Sequence, residues 1–404
     1  MSDVLLVDVA FEKMGGIKLK LIKIDGQLEI LSAGYALQRY ENRRKPNSIK
    51  KDMQAIQHLY RFCIQNNIDL HTRIANQTPL SIGEIESLSA FCTINVATGE
   101  VVGEQHYQQR FRQAWCFIDW LWLFYQNRSK QRVDELKDSK LQRGTMESGF
   151  KLYLKAPYQT AKADRIGLEP DLQRRFMAII NPLPENDLNP WKLEKIRWRN
   201  YAFLLTMILA GNRKSESLLL KLNHFSLTGH RKYFEIVKGD DVVYPRSEAP
   251  SVKTLGREID LFDSLAEIFE YYITVWRKKF SGSNKSLYMF LSGRDGMPLA
   301  LNTPNSTLNE LIKKYPEFKG KLSPHRLRNT FHDFLNDALD EKFKDDNSVS
   351  RKLNKAPIQE YAGGWVRNSE MTSHYPKGSI QRKVAEMHRR IQQQALGEPE
   401  TRKP

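Results

Sequence analysis

Cysteine is scarce in this sequence. The 404 residues include three cysteines, Cys63, Cys92 and Cys116, and no two of them form a C-x-x-C pair. Cysteines that are so few and so widely spaced support neither a disulfide framework nor a cysteine-based zinc site. We expect them to be small, buried, apolar side chains in a reducing compartment.

Long hydrophobic runs are missing as well. The longest, such as residues 201–211, are well short of the roughly 20 apolar residues that cross a bilayer. The chain begins with Met1-Ser-Asp-Val and lacks the basic start of a secretory signal. The sequence therefore predicts a protein that neither spans a membrane nor is secreted.

Acidic residues are too few to balance the basic ones. The chain has 63 Lys and Arg against 47 Asp and Glu, which gives a formal net charge of +16 at pH 7. This surplus favours a polyanionic partner, with nucleic acid ahead of an anionic membrane or a charge that serves only solubility. Hydrophobic residues make up 40% of the chain, which is ample for packed cores, and the length suggests two or three domains.

Residues 1–34 differ from the rest of the chain in their periodicity. Residues 17–21 alternate apolar and basic side chains, and Asp25-Gly26 separates them from Leu28-Glu-Ile. This pattern predicts a β-hairpin element. Such an element either caps a neighbouring domain or contacts DNA.

Residues 35–127 have helical periodicity and predict a helical domain. Ser48 is a candidate cap for a first helix, residues 79–92 supply a second, and a bulky apolar stripe from Tyr107 to Tyr125 marks a third. The stripe is typical of core packing.

The remaining chain divides into three segments. Residues 128–167 are basic, lack strong periodicity and predict a linker. Residues 168–391 predict a second, mainly helical domain with a β-rich island at 232–261, and residues 392–404 predict a frayed polar tail. The predicted fold class is thus mainly α with a small β-sheet.

Two cationic groups stand in the second domain beside residues able to orient them. Arg213 follows Gly211 on a turn between two helices, and Glu216 lies three residues further on. A planar guanidinium there suits two phosphate oxygens, although a cation at a helix end is the plainer interpretation.

Lys253 precedes Gly256, which predicts a hairpin with this lysine near its tip. Such a lysine either donates a proton to a leaving oxygen or is simply solvated.

A third segment predicts an anion-binding helix start. Ser323 is a candidate cap and Pro324 fits the first turn, so that His325 and Arg328, about 300° apart, project from one face. Free N–H groups and the helix dipole favour an anion there.

Further on, Trp365 offers an indole N–H, and Tyr375 is either a nucleophile or a hydroxyl at the rim of the core.

The order and spacing of these segments resemble the catalytic domain of the tyrosine recombinase (phage integrase) family. The segment from Gly211 to Glu216 resembles the first arginine box, and Lys253 with the residues after it resembles the hairpin lysine. The segment His325-Arg-Leu-Arg328-Asn-Thr-Phe resembles the family's H-x-L-R-x-T-F box. Residues 364–375 resemble the closing box, with tryptophan at Trp365 where most members have histidine.

The resemblance implies a chemistry for each residue. Tyr375 would attack a phosphodiester and form a 3′-phosphotyrosyl bond, and Lys253 would protonate the departing 5′ oxygen. The transition state would be stabilised by Arg213, Arg328, His325 and Trp365, and Glu216 would hold their geometry. No metal, ATP or other cofactor is implied, because the bond energy is conserved.

The same resemblance implies partners and leaves alternatives open. We expect a core-binding domain at 35–127 and an α+β catalytic domain that act on double-stranded DNA. The resemblance further implies a homotetramer on paired DNA sites that acts with accessory proteins, in the cytoplasm of a prokaryote and near the nucleoid. A type IB-like topoisomerase uses the same chemistry, and a catalytically silent DNA-binding regulator would keep the fold.

The predicted acid role of Lys253 leads to a first test. Replacing Lys253 by alanine should slow DNA cleavage roughly 100- to 10,000-fold, because general acids contribute rate factors of this order. The measurement is the cleavage rate on DNA with an ordinary 5′ oxygen and on DNA with a better leaving group. A variant that the better leaving group does not rescue would show that Lys253 is not the acid.

Overall fold

The chain forms two compact units. The structure is a computed structural model, and it describes residues 3–128, 133–154, 167–241, 244, 248–252, 255–364 and 377–396. One unit comprises residues 1–161 with 245–248, and the other comprises residues 162–244 with 249–404. Each unit has a hydrophobic core of its own.

The first unit combines a small sheet with helices. Its strands are β1 (Val4–Phe11), β2 (Ile17–Ile24) and β3 (Gln27–Leu28). Its helices are α1 (Ile30–Glu41), α2 (Pro46–Gln65), α3 (Leu70–Ala75), α4 (Ile82–Cys92), α5 (Glu104–Gln126) and α6 (Val133–Tyr153).

The sheet at the amino end caps the core of this unit. Strand β2 pairs antiparallel with β1 along its whole length, and the Asp25-Gly26 turn connects it to β3. The β2 side chains Leu19 and Leu21 are fully buried in the core of the unit. Strand β1 was not predicted, because its residues are apolar almost throughout and lack a clear alternation.

The predicted helices of the first unit are present with changed ends. Helix α2 begins at Pro46 with Lys45 at its cap position, so Ser48 lies inside the helix and does not cap it. Proline suits the first helical position because it has no N–H to leave unpaired. Helix α4 begins with a capping box between Ser81 and Glu84, and the apolar stripe of α5 is buried as predicted.

Helix α6 lies within the segment that the sequence predicts to be a linker. Its Phe150 is fully buried, with its ring centroid 5.0 Å from that of Phe111 and 4.9 Å from that of Trp115. The Arg143 guanidinium also pairs with the Asp119 carboxylate at 2.6 Å. The helix shows little amphipathic periodicity because only a few of its side chains are buried, so its contacts with α5 hold it in place.

The second unit is mainly helical with two small antiparallel sheets. Its helices are α7 (Pro170–Ile180), α8 (Glu194–Ile208), α9 (Lys214–Leu218), α10 (Asp263–Tyr271), α11 (Thr303–Lys314), α12 (Pro324–Lys342), α13 (Ser348–Gly363) and α14 (Lys377–Leu396). Its strands are β4 (Phe225–Ser226), β5 (Tyr233–Ile236), β6 (Gly239–Asp240), β7 (Ser251–Val252) and β8 (Arg257–Asp260). The predicted fold class, mainly α with a small β-sheet, is confirmed.

The strands of the β-rich island pair differently from the prediction. Strand β8 pairs with β5 and strand β7 pairs with β6, so the chain reverses between β6 and β7 and not at Gly256. Glycine suits position 256 for a different reason: a Cβ atom there would lie 3.0 Å from the carbonyl oxygen of Ile236, a tight contact. The predicted hairpin turn at Gly256 is therefore wrong, although glycine fits the close approach of the two chain segments there.

Helix α8 forms the centre of the second unit. Every residue from Arg199 to Ile208 is buried, so this part of the helix is enclosed on all sides. It leads into Gly211, whose backbone has φ +67° and packs against the ring of Phe331 on α12. This contact brings the start of α9 close to the start of α12.

Helix α14 packs on the second unit itself. Its Val384, Met387 and Ile391 are buried with Phe331 of α12. The helix continues to Leu396, and Gln392 is buried, accepting a hydrogen bond from the Phe262 N–H at 2.7 Å. The prediction of a frayed tail from residue 392 is thus wrong for residues 392–396, because a buried hydrogen bond holds them.

None of the helices that the structure describes is both long and apolar enough to cross a bilayer.

The contact between Gly211 and Phe331 leads to a stability prediction. A Cβ atom at Gly211 would lie 2.3 Å from the Phe331 ring. Gly211→Ala should therefore lower the free energy of unfolding by about 2–6 kcal/mol, because backbone strain adds to overpacking. Urea unfolding measures the change.

Gly229→Ala is the matched control for this substitution. Gly229 also has a positive φ, +91°, but a Cβ atom there meets nothing within 4 Å. In Gly229→Ala the free energy of unfolding should fall by only about 1–3 kcal/mol, the cost of the backbone strain alone. Equal losses in the two variants would show that the Phe331 contact has no energetic weight.

Candidate active site

The turn between α8 and α9 presents Arg213. The residue occupies the cap position of α9, and its backbone N–H donates to Glu216 Oε2 at 2.8 Å. Its side chain also donates from Nη1 to Glu216 Oε1 at 3.1 Å. Because the Arg213 side chain is 36% exposed, it can reach both the buried carboxylate and a ligand from solvent.

The start of α12 presents His325 and Arg328, as the sequence predicts. Ser323 caps the helix by accepting from the Arg326 N–H at 3.2 Å, and Pro324 stands in the first turn. His325 is exposed, whereas Arg328 is buried. The intervening Leu327 points into the core of the unit.

The two arginines converge on one backbone oxygen at the end of α13. Arg213 donates from Nη1 to the Gly363 carbonyl at 2.8 Å, and Arg328 donates from Nη2 to the same oxygen at 2.9 Å. Arg328 also donates to the Gly211 carbonyl. Three segments that are distant in sequence are thus held together by two guanidinium groups.

An open cleft of about 320 Å³ lies beside this junction. Arg213, His325 and Arg328 line it, together with Lys214, Ser215, Asn305, Ser323 and Pro324. A cleft with this many cationic groups and with a helix start at its wall suits an anion with several oxygens, such as a phosphate group.

The Glu216 carboxylate is the centre of the cationic cluster. Arg257, at the start of β8, donates to it from Nη2 at 2.9 Å and from Nη1 at 3.4 Å. Arg328 Nη1 lies 3.8 Å from Glu216 Oε2. Burial by itself raises the pKa of Glu216, but Arg257, the Arg213 N–H and Arg328 outweigh it and lower the pKa to about 2.

The cluster holds more positive than negative charge. Burial, followed by the neighbouring Arg213, lowers the pKa of Arg328 to about 9, while Glu216 acts in the opposite direction. The group therefore stays cationic at neutral pH. Burial, followed by the neighbouring Arg328, Arg257 and Arg213, lowers the pKa of His332, one turn further along α12, to about 3, so this histidine is neutral at neutral pH.

Four of the seven predicted site residues lie together at this cleft. The cleft is lined by Arg213, His325 and Arg328. The buried Glu216 carboxylate pairs with the two arginines. The other three, Lys253, Trp365 and Tyr375, lie outside the described residues. Leu255, two residues after Lys253, and Gly364, which precedes Trp365, meet, because the Leu255 N–H donates to the Gly364 carbonyl at 3.2 Å.

Two residues of the site were not predicted from the sequence. Arg257 stands in the run that contains Lys253, but an arginine on a short strand of a basic chain carries no signal of its own. Asn305 lines the cleft from α11 and likewise has no motif around it. Their places depend on packing between elements that are distant in the chain.

Comparison with known proteins yields structural matches only. No family model and no curated protein matches the chain. The integrase of transposon Tn1549 in complex with transposon right end DNA is 14% identical, with 88% of this chain and 99% of that chain covered and a TM-score of 0.47. The XerH site-specific recombinase bound to difH substrate is 14% identical, with 73% and 82% covered and a TM-score of 0.36.

A third match is the integrase from mycobacterium phage Brujita. It is 12% identical, with 89% of this chain and 92% of that chain covered and a TM-score of 0.33. The chain is similar to recombinases and integrases. This is the resemblance that the sequence motifs predict.

The lowered pKa of Glu216 leads to a pH prediction. A carboxyl group whose folded pKa is about 2 and whose unfolded pKa is near the usual value stabilises the fold above about pH 4.5, and this contribution is lost as the pH falls towards 2. The difference in unfolding free energy between the wild type and Glu216→Gln should therefore shrink by up to about 3 kcal/mol on acidification.

Urea unfolding of both proteins between pH 7 and pH 3 measures this change. The buried histidines titrate in both proteins, so their contribution cancels in the difference. A difference that stays constant over the whole range would show that the Glu216 carboxylate is not held in its charged form.

Proposed function

We propose that the chain is a site-specific DNA recombinase that breaks and rejoins strands through a phosphotyrosyl intermediate. One observation carries the proposal. Arg213 and Arg328, from two separate motifs, reach the same Gly363 carbonyl and line one cleft with His325. A phosphodiester under attack needs this kind of preorganised positive charge around its non-bridging oxygens.

The reaction follows from the chemistry of the residues. The Tyr375 phenol oxygen attacks the phosphorus, a new O–P bond forms, and the bond to the 5′ oxygen breaks. The proton of the phenol passes to a base, for which His325 is placed at the cleft, and Lys253 supplies a proton to the 5′ oxygen. The roles of Tyr375, Lys253 and Trp365 come from the family resemblance.

The partners also follow from this proposal. Double-stranded DNA is the substrate, and the net charge of +16 supports attraction to its phosphates. Exchange of strands between two sites calls for a homotetramer, and accessory proteins would set the direction of the reaction. We assign the enzyme to the cytoplasm of a prokaryote, where it would act at the nucleoid.

The test is covalent capture of DNA in cells. Wild type and Tyr375→Phe are expressed, the cells are lysed in strong detergent, and protein-linked DNA is sequenced at its attachment points. We expect attachment at a few paired sites in the wild type and only background in Tyr375→Phe, because the phenol oxygen forms the bond. Tyr271→Phe is the matched control, since Tyr271 is an exposed tyrosine of the same unit, and it should retain attachment.

The other outcomes separate the competing functions. Scattered attachment that still depends on Tyr375 would favour a type IB-like topoisomerase. Tight DNA binding with equal background in wild type and Tyr375→Phe would contradict the covalent mechanism and favour a regulator.

A further inference from the structure

Arg257 has no role in the reaction as described so far. We propose that it is a positioning residue: it holds the Glu216 carboxylate in place, and through Glu216 it sets the directions of Arg213 and Arg328. This inference rests on the proposed function and adds a residue to it.

Arg257 acts through Glu216 because it has no access to a ligand. Its side chain and that of Glu216 are each 1% exposed, and it is not among the residues that line the cleft. Its two terminal nitrogens both face the carboxylate, at 2.9 and 3.4 Å. A buried ion pair adds little net stability over a well-packed apolar pair, so packing alone gives no reason for these two charges.

The geometry around Glu216 indicates that Arg257 keeps Arg328 from turning towards the carboxylate. Oε2 accepts from Arg257 Nη2 at 2.9 Å and from the Arg213 N–H at 2.8 Å, and Arg328 Nη1 stays 3.8 Å away. Arg328 uses its N–H groups on the carbonyls of Gly211 and Gly363. Without Arg257, the carboxylate would have one strong donor fewer, and we expect Arg328 to turn towards it and away from the cleft.

The charge of the cluster supports the same conclusion. Three guanidinium groups surround one carboxylate, which leaves an excess of two positive charges. A phosphodiester carries one negative charge, and its five-coordinate transition state approaches two. The cluster with Arg257 therefore complements the transition state better than the ground state, which is the condition for a faster reaction.

Arg257 also connects the cluster to the lysine segment. It begins β8, and Leu255, two residues earlier, donates its N–H to the Gly364 carbonyl at 3.2 Å. Lys253 lies just before this bond in the sequence, and Trp365 just after it. An anchored Arg257 thus fixes the chain next to both residues.

The experiment compares the rate of covalent attachment with DNA affinity. The rate is measured on nicked duplex DNA at saturating protein and is scaled to the folded fraction. Arg257→Met should slow attachment roughly 100-fold, the scale of a small misplacement of catalytic groups, while the Kd for DNA changes less than about threefold because phosphate contacts dominate affinity. Arg257→Lys, which keeps the charge, should recover part of the rate.

The double variant Glu216→Gln with Arg257→Met distinguishes a positioning role of Arg257 from a purely structural one. It should react faster than Arg257→Met alone, because no carboxylate is left to draw Arg213 and Arg328 away. Arg231→Met is the matched control. Arg231 makes the same kind of paired contact with Asp260 of β8, at 2.7 and 3.1 Å, and is absent from the residues lining the cleft, so its loss should leave the rate unchanged.

The results separate this inference from the proposed function. If the wild type attaches DNA and Arg257→Met matches its rate, or if the double variant is no faster than Arg257→Met, the positioning role is wrong. If the wild type never attaches, the proposed function fails, and crystal structures of wild type and Arg257→Met then decide the inference. Arg328 turned towards Glu216 in the variant supports it, and unchanged arginines overturn it.

Discussion

The buried carboxylate of Glu216 is the interaction on which the candidate site depends. A charge removed from water must be paired, and here the pairing groups are Arg257, Arg213 and Arg328. Each arginine comes from a different element, so the one carboxylate ties β8, α9 and α12 together. The requirement to neutralise a buried anion thereby places two guanidinium groups at the wall of the cleft, where they are preorganised before any ligand arrives.

The packing around Glu216 keeps this arrangement rigid. The buried second part of α8 leads to Gly211, which lies against Phe331 and so sets the distance between α9 and α12. The Gly363 carbonyl accepts from both arginines and anchors the end of α13. Apolar burial therefore fixes the elements, and hydrogen bonds to backbone oxygens fix the directions of the cations.

Much of the fold was predictable where a single element carries its own signal. Strand β2, α4, α5, the start of α12 and the β-rich island follow from periodicity and, for α12, from the cap at Ser323. The predictions failed where contacts between elements decide. Helix α6 is mostly polar and depends on packing with α5, residues 392–396 depend on the hydrogen bond of Gln392, and the strand pairing around Gly256 depends on which neighbours are close.

For the site, the sequence by itself determined the residue types and their order: Arg213 with Glu216, then Lys253, then His325 with Arg328, then Trp365 and Tyr375. It also determined that His325 and Arg328 share the start of one helix, because capping and helical spacing are local properties. Only the tertiary structure decided that Arg213 and Arg328 meet at one carbonyl and that Arg257 completes the pairing of Glu216. Distances between elements far apart in the chain arise from burial and charge pairing in three dimensions, and no local pattern encodes them.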